Sequence, residues 1–204
     1  MPSRRRCWPR FMSESVSSAA EANAEAIASL RREGSVVLGV VVEVPQPWAE
    51  DLQQWRLGFG DNTADHMPTH ITLVPPTVVS SGRLDAVLAD IDAACEGVAG
   101  FHIATSGIST FRPTSPVVYL AIGDGGKRLQ QLHELVLPLV SDKPVLHPYV
   151  PHITVAMHLP DAVLDSAAQV LGDYSLSWDI ASVCSFVRGR DGRWVKVKEH
   201  FLQG

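Results

Sequence analysis

The sequence repeats one tetrapeptide, His70-Ile71-Thr72-Leu73, as His152-Ile153-Thr154-Val155. Both copies are rich in β-branched residues, which favour strands, and side chains alternate between the two faces of a strand. Each histidine therefore shares one face with its threonine, while the two aliphatic residues point to the other face. The repeat predicts two buried strands that each present a polar pair over an apolar anchor.

The segments around the two copies follow a similar order, in which a strand is followed by a proline-marked exit and then by a helix. Apolar periodicity predicts strands over 35–44, 69–74, 101–111, 117–122 and 151–157, and helices over 47–57, 82–96, around 129–136 and over 161–171. Pro75 and Pro76 are expected to end the second strand, and Pro138 to kink or end the third of these helices. Strands and helices mix without a strict βαβ rhythm, so the sequence predicts an α+β fold.

The chain is expected to end in a hairpin, in which Leu176–Val187 pairs with Trp194–Phe201 around a turn at 189–192. Five cations cluster around this hairpin: Arg188, Arg190, Arg193, Lys196 and Lys198. They either protect an exposed sheet edge or form part of an RNA-binding surface.

The first 34 residues differ in composition from the rest of the chain. Residues 1–12 are basic and lack periodicity, and residues 13–32 carry apolar side chains at helical spacing, which predicts an amphipathic helix ended by Gly34. We therefore predict an N-terminal extension over residues 1–34 and a single domain over residues 35–204.

Composition and charge limit the function. Of the 204 residues, 46% are hydrophobic and 19% charged, which is typical of a globular protein. The formal charge of −5 argues against a large surface that follows a long nucleic acid, but leaves a small nucleotide site open. The longest aliphatic run, Val36–Val42, is far shorter than the ~20 residues of a membrane helix, and no secretory signal follows Arg4–Arg6. We expect a cytoplasmic protein without membrane contact.

A metal site has weak support in the sequence. The three cysteines lie far apart, without a Cys-x-x-Cys pair. His66 and His70 have the spacing of a zinc-binding helix, but Pro68 would break that helix and the general-base glutamate is absent. We expect no metal and no cofactor; a metal site built on these histidines remains the alternative.

The repeated histidines and threonines suit phosphoryl chemistry. One imidazole is able to take a proton from the attacking hydroxyl while a second gives a proton to the leaving oxygen. Imidazole, with a pKa of ~6.5, does either near neutrality. The hydroxyls of Thr72 and Thr154 would donate hydrogen bonds to the non-bridging phosphoryl oxygens. The repeat thus predicts His70 and His152 as catalytic residues, with Thr72 and Thr154 binding the phosphate.

Three further residues are candidate substrate contacts. Phe111 and Arg112 lie in the predicted turn between two strands, where they are placed to stack on a base or to pair with a phosphate. His158 shares the alternation of His152 and Thr154, so it faces the cleft if the strand extends that far, and otherwise belongs to a solvated rim.

These motifs resemble those of the two-histidine (2H) phosphoesterase superfamily, which includes the bacterial 2'-5' RNA ligases and RNA 2',3'-cyclic phosphodiesterases. Both tetrapeptides match its His-x-Thr/Ser-hydrophobic signature, and Pro151 before the second copy fits the common Pro-His-Ile-Thr form. The likeness in architecture runs from about Val36 to the last hairpin. It implies a bilobal α+β fold, with two sheet-plus-helix lobes related by a pseudo-twofold axis around a central cleft.

The resemblance also implies an activity: metal-free hydrolysis of 2',3'-cyclic phosphates or 2'-5' phosphodiester bonds in RNA ends or small nucleotides. By the same resemblance, His152 activates water and His70 protonates the leaving oxygen. The expected partner is a small nucleotide or an RNA 3' end with a cyclic phosphate, and no obligate protein partner is predicted. The alternative is a non-catalytic module that binds nucleotides or RNA ends in the same cleft. The presence of both histidines and both threonines favours catalysis, because binding alone needs no pair of proton carriers.

Overall fold

The computed structural model describes residues 34–62, 64–144 and 147–204. The helix predicted over residues 13–32 lies outside the described residues. Eight strands and four α-helices form the described part of the chain, in the α+β mixture that the sequence predicts. The strands are β1 (Ser35–Glu43), β2 (His70–Ser80), β3 (Phe101–Thr110), β4 (Val117–Ile122), β5 (His152–Met157), β6 (Ser177–Ile180), β7 (Ser182–Arg188) and β8 (Trp194–Phe201). The helices are α1 (Trp48–Gly58), α2 (Leu84–Glu96), α3 (Gly126–Val140) and α4 (Asp161–Val170).

The eight strands join one antiparallel sheet in the order β6-β3-β4-β5-β2-β1-β7-β8. The centre of this order is the junction of β2 and β5, the strands that carry the two tetrapeptides. They pair antiparallel at Ile71 and Ile153, the same position of each tetrapeptide. Four strands lie on each side of this junction, so the two halves are related by a pseudo-twofold axis, which confirms the bilobal arrangement.

The C-terminal part of the chain contributes to both halves of the sheet, and the prediction of one strand over Leu176–Val187 was wrong. This segment divides at Ala181 into β6, which pairs with β3, and β7, which pairs with β1 and β8. Alternation in a sequence shows which face of a strand is buried but does not show its neighbour. The sequence pattern therefore did not predict that the chain crosses from one half of the sheet to the other between β6 and β7.

The sequence predicted that β2 ends at Pro75 and Pro76. In the structure β2 continues through both prolines to Ser80. The pairing of β1 with β2 shifts register between Leu38 and Val40, which leaves an extra residue on β2. Proline is tolerated at such a bulge, because no N–H is required for the ladder there. Helix α3 likewise extends past Pro138 by two residues, to its end at Val140.

The hydrophobic core lies between the sheet and the helices. Helix α3 packs against β2, α1 against β5, and α4 against β4 and β5. Ile71, Leu73, Ile153 and Val155 are completely buried in this core. Burial of each such side chain stabilises the fold by about 1.5–3 kcal/mol. The tetrapeptide strands are thus anchored by their aliphatic faces, and their histidines and threonines lie on the opposite face. None of the described helices is long and apolar enough to span a membrane.

Candidate active site

The two motif histidines are held in the same way at the starts of their strands. Nδ1 of His70 lies 2.7 Å from the carbonyl oxygen of Pro68, and Nδ1 of His152 lies 2.7 Å from that of Val150. A carbonyl oxygen only accepts, so each Nδ1 carries the proton and donates it. In the neutral rings Nε2 is then unprotonated, and this nitrogen is the one that is able to exchange a proton with a bound molecule.

The two histidines and two threonines of the tetrapeptides share one face at the centre of the sheet. All four side chains are half-buried, whereas the aliphatic residues beside them are fully buried. Because Ile71 pairs antiparallel with Ile153, each histidine lies across from the threonine of the other copy. The structure therefore brings together the four residues that the sequence assigned to catalysis and phosphate binding.

Burial lowers the pKa of both histidines from the ordinary value of 6.5. The pKa of His70 falls to about 4, because burial, helped by the nearby Arg56 and His152, outweighs the opposing effects of the hydrogen bond to Pro68 and of Glu43. The pKa of His152 is lowered by burial against the opposing effect of its bond to Val150. Both imidazoles are therefore neutral at pH 7 in the free protein. A phosphate anion beside them would raise both pKa values, because it stabilises the charged ring.

Two aromatic rings contact the imidazole of His152. The ring centroid of Phe111 lies 5.0 Å from that of His152 in an edge contact, and the centroid of Tyr119 lies 5.2 Å away. Phe111 and Tyr119 stack on each other with centroids 4.2 Å apart. Phe111, predicted as a substrate contact, thus touches the imidazole of His152. Tyr119 was missed by sequence reasoning, because it lies in the buried apolar run of β4.

An open cleft extends from His70 on the other side of the pseudo-twofold axis. Its volume is about 420 Å³, within the range of small-molecule sites. Its lining includes Thr72, the apolar residues Gly39, Val41, Met67, Met157 and Trp194, and the polar residues Arg56, His66 and Arg188. The two histidines therefore have different surroundings, although their own contacts are alike.

Arg56 enters the cleft from α1 and was not predicted. Its guanidinium donates to Oδ2 of Asp61 from Nη2 at 2.7 Å and from Nε at 3.1 Å, and both side chains are more than 90% buried. The pair places a fixed positive group beside His70. An arginine on a helix with a carboxylate five residues later is an ordinary surface pattern, so no local signal indicated that this pair is buried.

Arg112 and His158 are not brought to the histidines. Arg112 pairs with two carboxylates of α4, through Nη2 to Oδ1 of Asp165 at 2.7 Å and Nη1 to Oδ1 of Asp161 at 3.4 Å. Strand β5 ends at Met157, and a register shift between β4 and β5 adds an extra residue to β5. Met157 consequently lines the cleft, while His158 is exposed with a φ of 53°. The sequence predicted that His158 faces the cleft only if the strand extends to it. Because β5 ends at Met157, His158 does not face the cleft.

Tyr149 and His133 form a second pair of rings, which donate hydrogen bonds to the backbone of the first tetrapeptide. Tyr149 Oη donates to the carbonyl oxygen of Thr72 at 2.9 Å, and Nδ1 of the buried His133 donates to that of Leu73 at 2.6 Å. The two rings stack with centroids 4.1 Å apart and planes inclined by 5°. Because Tyr149 lies three residues before His152, it joins the segment that leads into the second tetrapeptide to the backbone of the first.

The zinc arrangement considered from the sequence does not form. His66 ends a 3₁₀-helix over Ala64–His66, whereas His70 begins β2, so the two side chains do not share one helix face. Within the three described ranges, no group of three or more His, Cys, Asp or Glu side chains is placed to hold a metal ion.

Comparison with known proteins identifies one matching family and several similar proteins. The family described as the 2'-5' RNA ligase superfamily matches residues 44–192, more than half of the chain. A Staphylococcus aureus (strain Newman) protein that carries the name "Putative phosphoesterase" is 24% identical over 127 residues, which cover 61% of this chain and 72% of that protein.

Solved structures show the same fold. Escherichia coli LigT in its apo form is 18% identical with a TM-score of 0.61, and the match covers 84% of this chain and 100% of LigT. LigT complexed with 3'-AMP gives 18% identity and a TM-score of 0.59 over 83% of this chain and 99% of LigT. The Thermus thermophilus protein TT0787 gives 17% and 0.55 over 82% of this chain and 98% of its own. At these identities the likeness concerns the fold.

Proposed function

Because this chain belongs to the 2'-5' RNA ligase superfamily, we propose that it is a metal-independent phosphoesterase that hydrolyses 2',3'-cyclic phosphates or 2'-5' phosphodiester bonds in small nucleotides or RNA ends. One observation carries the proposal: the two histidine strands pair at Ile71 and Ile153, and this pairing places two imidazoles with the same tautomer on one face. A nucleotide substrate is supported by the LigT structure with 3'-AMP, whose phosphate is at one of the two positions, 2' or 3', that opening of a 2',3'-cyclic phosphate can produce.

In the proposed reaction, water attacks the phosphorus of the cyclic phosphate while a ribose oxygen leaves on the opposite side. One neutral Nε2 takes a proton from the water as the new P–O bond forms. The other Nε2, protonated, gives its proton to the ribose oxygen as the ring P–O bond breaks. Thr72 and Thr154 donate hydrogen bonds to the non-bridging oxygens, where negative charge increases during the attack.

The different surroundings of the histidines support separate roles. In hydrolysis of a cyclic phosphate the leaving oxygen stays on the ribose, so the nucleoside lies on the side of the general acid. The cleft beside His70 has a volume that suits a nucleoside, whereas the rings of Phe111 and Tyr119 pack against the imidazole of His152. We therefore assign general-acid catalysis to His70 and activation of water to His152. The substrate's phosphate raises the low pKa of His70 and so helps it to acquire its proton.

Turnover of 2',3'-cyclic AMP by single variants tests the proposal. His70→Ala and His152→Ala should each lower turnover by about 10²–10⁴-fold while the protein stays folded. His102→Ala is the matched control, because this imidazole pairs with Asp179 at the edge of the sheet and should be dispensable. Full activity in either motif variant would contradict the assignment.

Treatment with a chelator tests the proposal that the activity needs no metal ion. EDTA should leave turnover unchanged, and a loss of activity restored by zinc would contradict metal independence. Binding of 3'-AMP without turnover of any cyclic or 2'-5' linked substrate would instead support the non-catalytic alternative.

A further inference from the structure

The lining of the cleft beside His70 includes one large aromatic side chain, the indole of Trp194. Trp194 begins β8 and is half-buried, with its indole packed on the cluster of Val41, Cys184 and Phe186. A Cβ added to Gly39 would lie 3.2 Å from Cζ3 of this indole. The glycine therefore makes room for the ring over the backbone of β1, and the packing fixes its position.

The cations of the terminal hairpin differ in their partners. Arg193 pairs with Asp65 at 2.8 Å between Nη2 and Oδ2, Lys196 pairs with Glu43, and Lys198 pairs with Asp92. Arg188 is exposed and lines the same cleft as Trp194. Within the part of the chain that the structure describes, no carboxylate pairs with Arg188, so its guanidinium is available to an anion.

This combination suits a nucleoside that bears a phosphate. Stacking of a base on an aromatic side chain stabilises the bound nucleotide and does not depend on hydrogen-bond readout. The apolar side chains of Met67 and Met157 line the same space, as expected for a site that receives a flat ring. Arginine binds phosphate through its planar fork, and Arg188 is a solvent-exposed residue of the cleft lining.

We propose that Trp194 and Arg188 form a nucleoside subsite. Trp194 stacks on the base of the nucleotide whose cyclic phosphate lies between His70 and His152, and Arg188 binds the phosphate on the 5' side of that nucleotide. This inference rests on the proposed function and names the part of the substrate that the protein recognises. The preferred substrate is a nucleoside cyclic phosphate with a 5'-phosphate.

Three substrates of increasing size separate the two contacts. We would measure kcat/KM for glycerol 1,2-cyclic phosphate, which has no base, for 2',3'-cyclic AMP, and for its 5'-phosphorylated form. Trp194→Leu should lower kcat/KM for the two adenosine substrates by roughly 10- to 100-fold, with a much smaller effect on the glycerol compound. Trp194→Phe should restore most of the loss. Arg188→Gln should remove the advantage of the 5'-phosphate, whereas Arg83→Gln, an equal charge change outside the cleft, should not.

The outcomes are distinguishable. An equal loss by Trp194→Leu on all three substrates, or no loss, would overturn the stacking role, and an undiminished 5'-phosphate preference in Arg188→Gln would overturn the phosphate contact. If Trp194→Leu fails to fold, Trp194→Phe decides the stacking role, because its smaller ring should lower kcat/KM somewhat for the two adenosine substrates and not for the glycerol compound, and an unchanged kcat/KM on all three would overturn the role. Arg188→Gln still decides the phosphate contact. If the wild-type protein turns over none of the substrates, the proposed function fails, and calorimetric binding of 3'-AMP then tests the subsite. Weaker binding to Trp194→Leu supports the subsite, and equal binding overturns it.

Discussion

A carbonyl oxygen two residues upstream decides which nitrogen of each motif histidine meets the substrate. The carbonyls of Pro68 and Val150 each hold Nδ1–H, so Nε2 is left for proton transfer in both rings. Burial of the rings also removes water that would stabilise their charged forms. The tautomer and the lowered pKa values thus have the same local origin, the position of each histidine at the start of a buried strand.

The pH dependence of kcat/KM follows from these pKa shifts. As pH falls the general base becomes protonated, and as pH rises the general acid loses its proton, so the profile is a bell. Both histidines have pKa values below 6.5 in the free protein, and that of His70 is about 4, so both limbs should lie below pH 6.5. The limbs belong to the pair and keep this position whichever ring is the acid.

The corresponding profile of kcat should lie at higher pH, because bound phosphate raises both pKa values. Steady-state rates from about pH 3.5 to 9 would check both profiles. A rate independent of pH, or a kcat/KM bell centred above about pH 7, would contradict the assignment.

The roles of the two histidines are tested by the leaving group. A p-nitrophenyl phosphodiester releases a phenolate that needs no proton, so loss of the general acid should matter less there than with 2',3'-cyclic AMP. We expect His70→Ala to be much less impaired on the p-nitrophenyl ester, and His152→Ala to be equally impaired on both substrates. The opposite pattern would exchange the two roles.

At the scale of the elements, Tyr149 and His133 connect the two tetrapeptides. Tyr149→Phe keeps the ring stack but removes the hydrogen bond to the carbonyl of Thr72, a loss that should lower the free energy of unfolding by about 0.5–1.5 kcal/mol. We expect kcat to fall with little change in KM, because the bond positions the phosphate-binding strand. Tyr174→Phe, which loses a hydrogen bond to Asp51 outside the cleft, is the control. Equal kcat in the two variants would show that the bond of Tyr149 is only structural.

A hydrogen-bonded network joins α2 to the β7–β8 hairpin. Nδ1 of His200 lies 2.6 Å from Oδ1 of Asp92, and Nε2 lies 2.9 Å from Oγ of Ser185. The order of groups is that of a Ser-His-Asp triad, but Ser185 and His200 are 0% exposed, so no substrate reaches the hydroxyl. The arrangement is a structural connection.

This network makes stability depend on pH. Burial lowers the pKa of His200, although Asp92 opposes this effect, so the ring is neutral in the folded protein. As pH falls below 6.5, the unfolded chain takes up a proton more readily than the folded one, and the free energy of unfolding decreases. His70 and His152 act in the same direction, while the pKa of Asp92 lies below this range.

Urea unfolding at about pH 7.5 and about pH 5 would measure the effect. His200→Gln should lose less stability between these two pH values than the wild-type protein does. The same decrease in both proteins would contradict a neutral buried His200.

The sequence predicted the strand faces well where apolar and polar residues alternate clearly. It predicted poorly the features that depend on which strands pair with each other. Ile71 and Ile153 mark buried strands on their own, so the faces of both tetrapeptides were predictable. The bulge that turns Met157 rather than His158 toward the cleft depends on the pairing of β5 with β4, which no local pattern records. Arg112 likewise has the residue type of a phosphate contact, but its carboxylate partners lie on α4, far along the chain.

At the scale of the whole molecule, a symmetric frame carries an asymmetric site. The strand order is equivalent on the two sides of the β2–β5 junction, and the repeated tetrapeptide made this duplication predictable. The difference between the aromatic wall at His152 and the open cleft at His70 was not predictable, because it comes from β4 and the turn before it in one half and from β1 and β8 in the other. The symmetric sheet places two equivalent histidines, and the residues around each histidine determine the shape of the space beside it.

The central claim is that the two halves act together on one phosphorus atom. The most direct test is the turnover of 2',3'-cyclic AMP by His70→Ala, His152→Ala and the double variant, with melting temperatures to confirm folding. Residues that work as a unit are non-additive, so the double variant should be about as slow as the slower single variant. Losses in the two single variants that multiply in the double variant, or full activity in either single variant, would contradict the account.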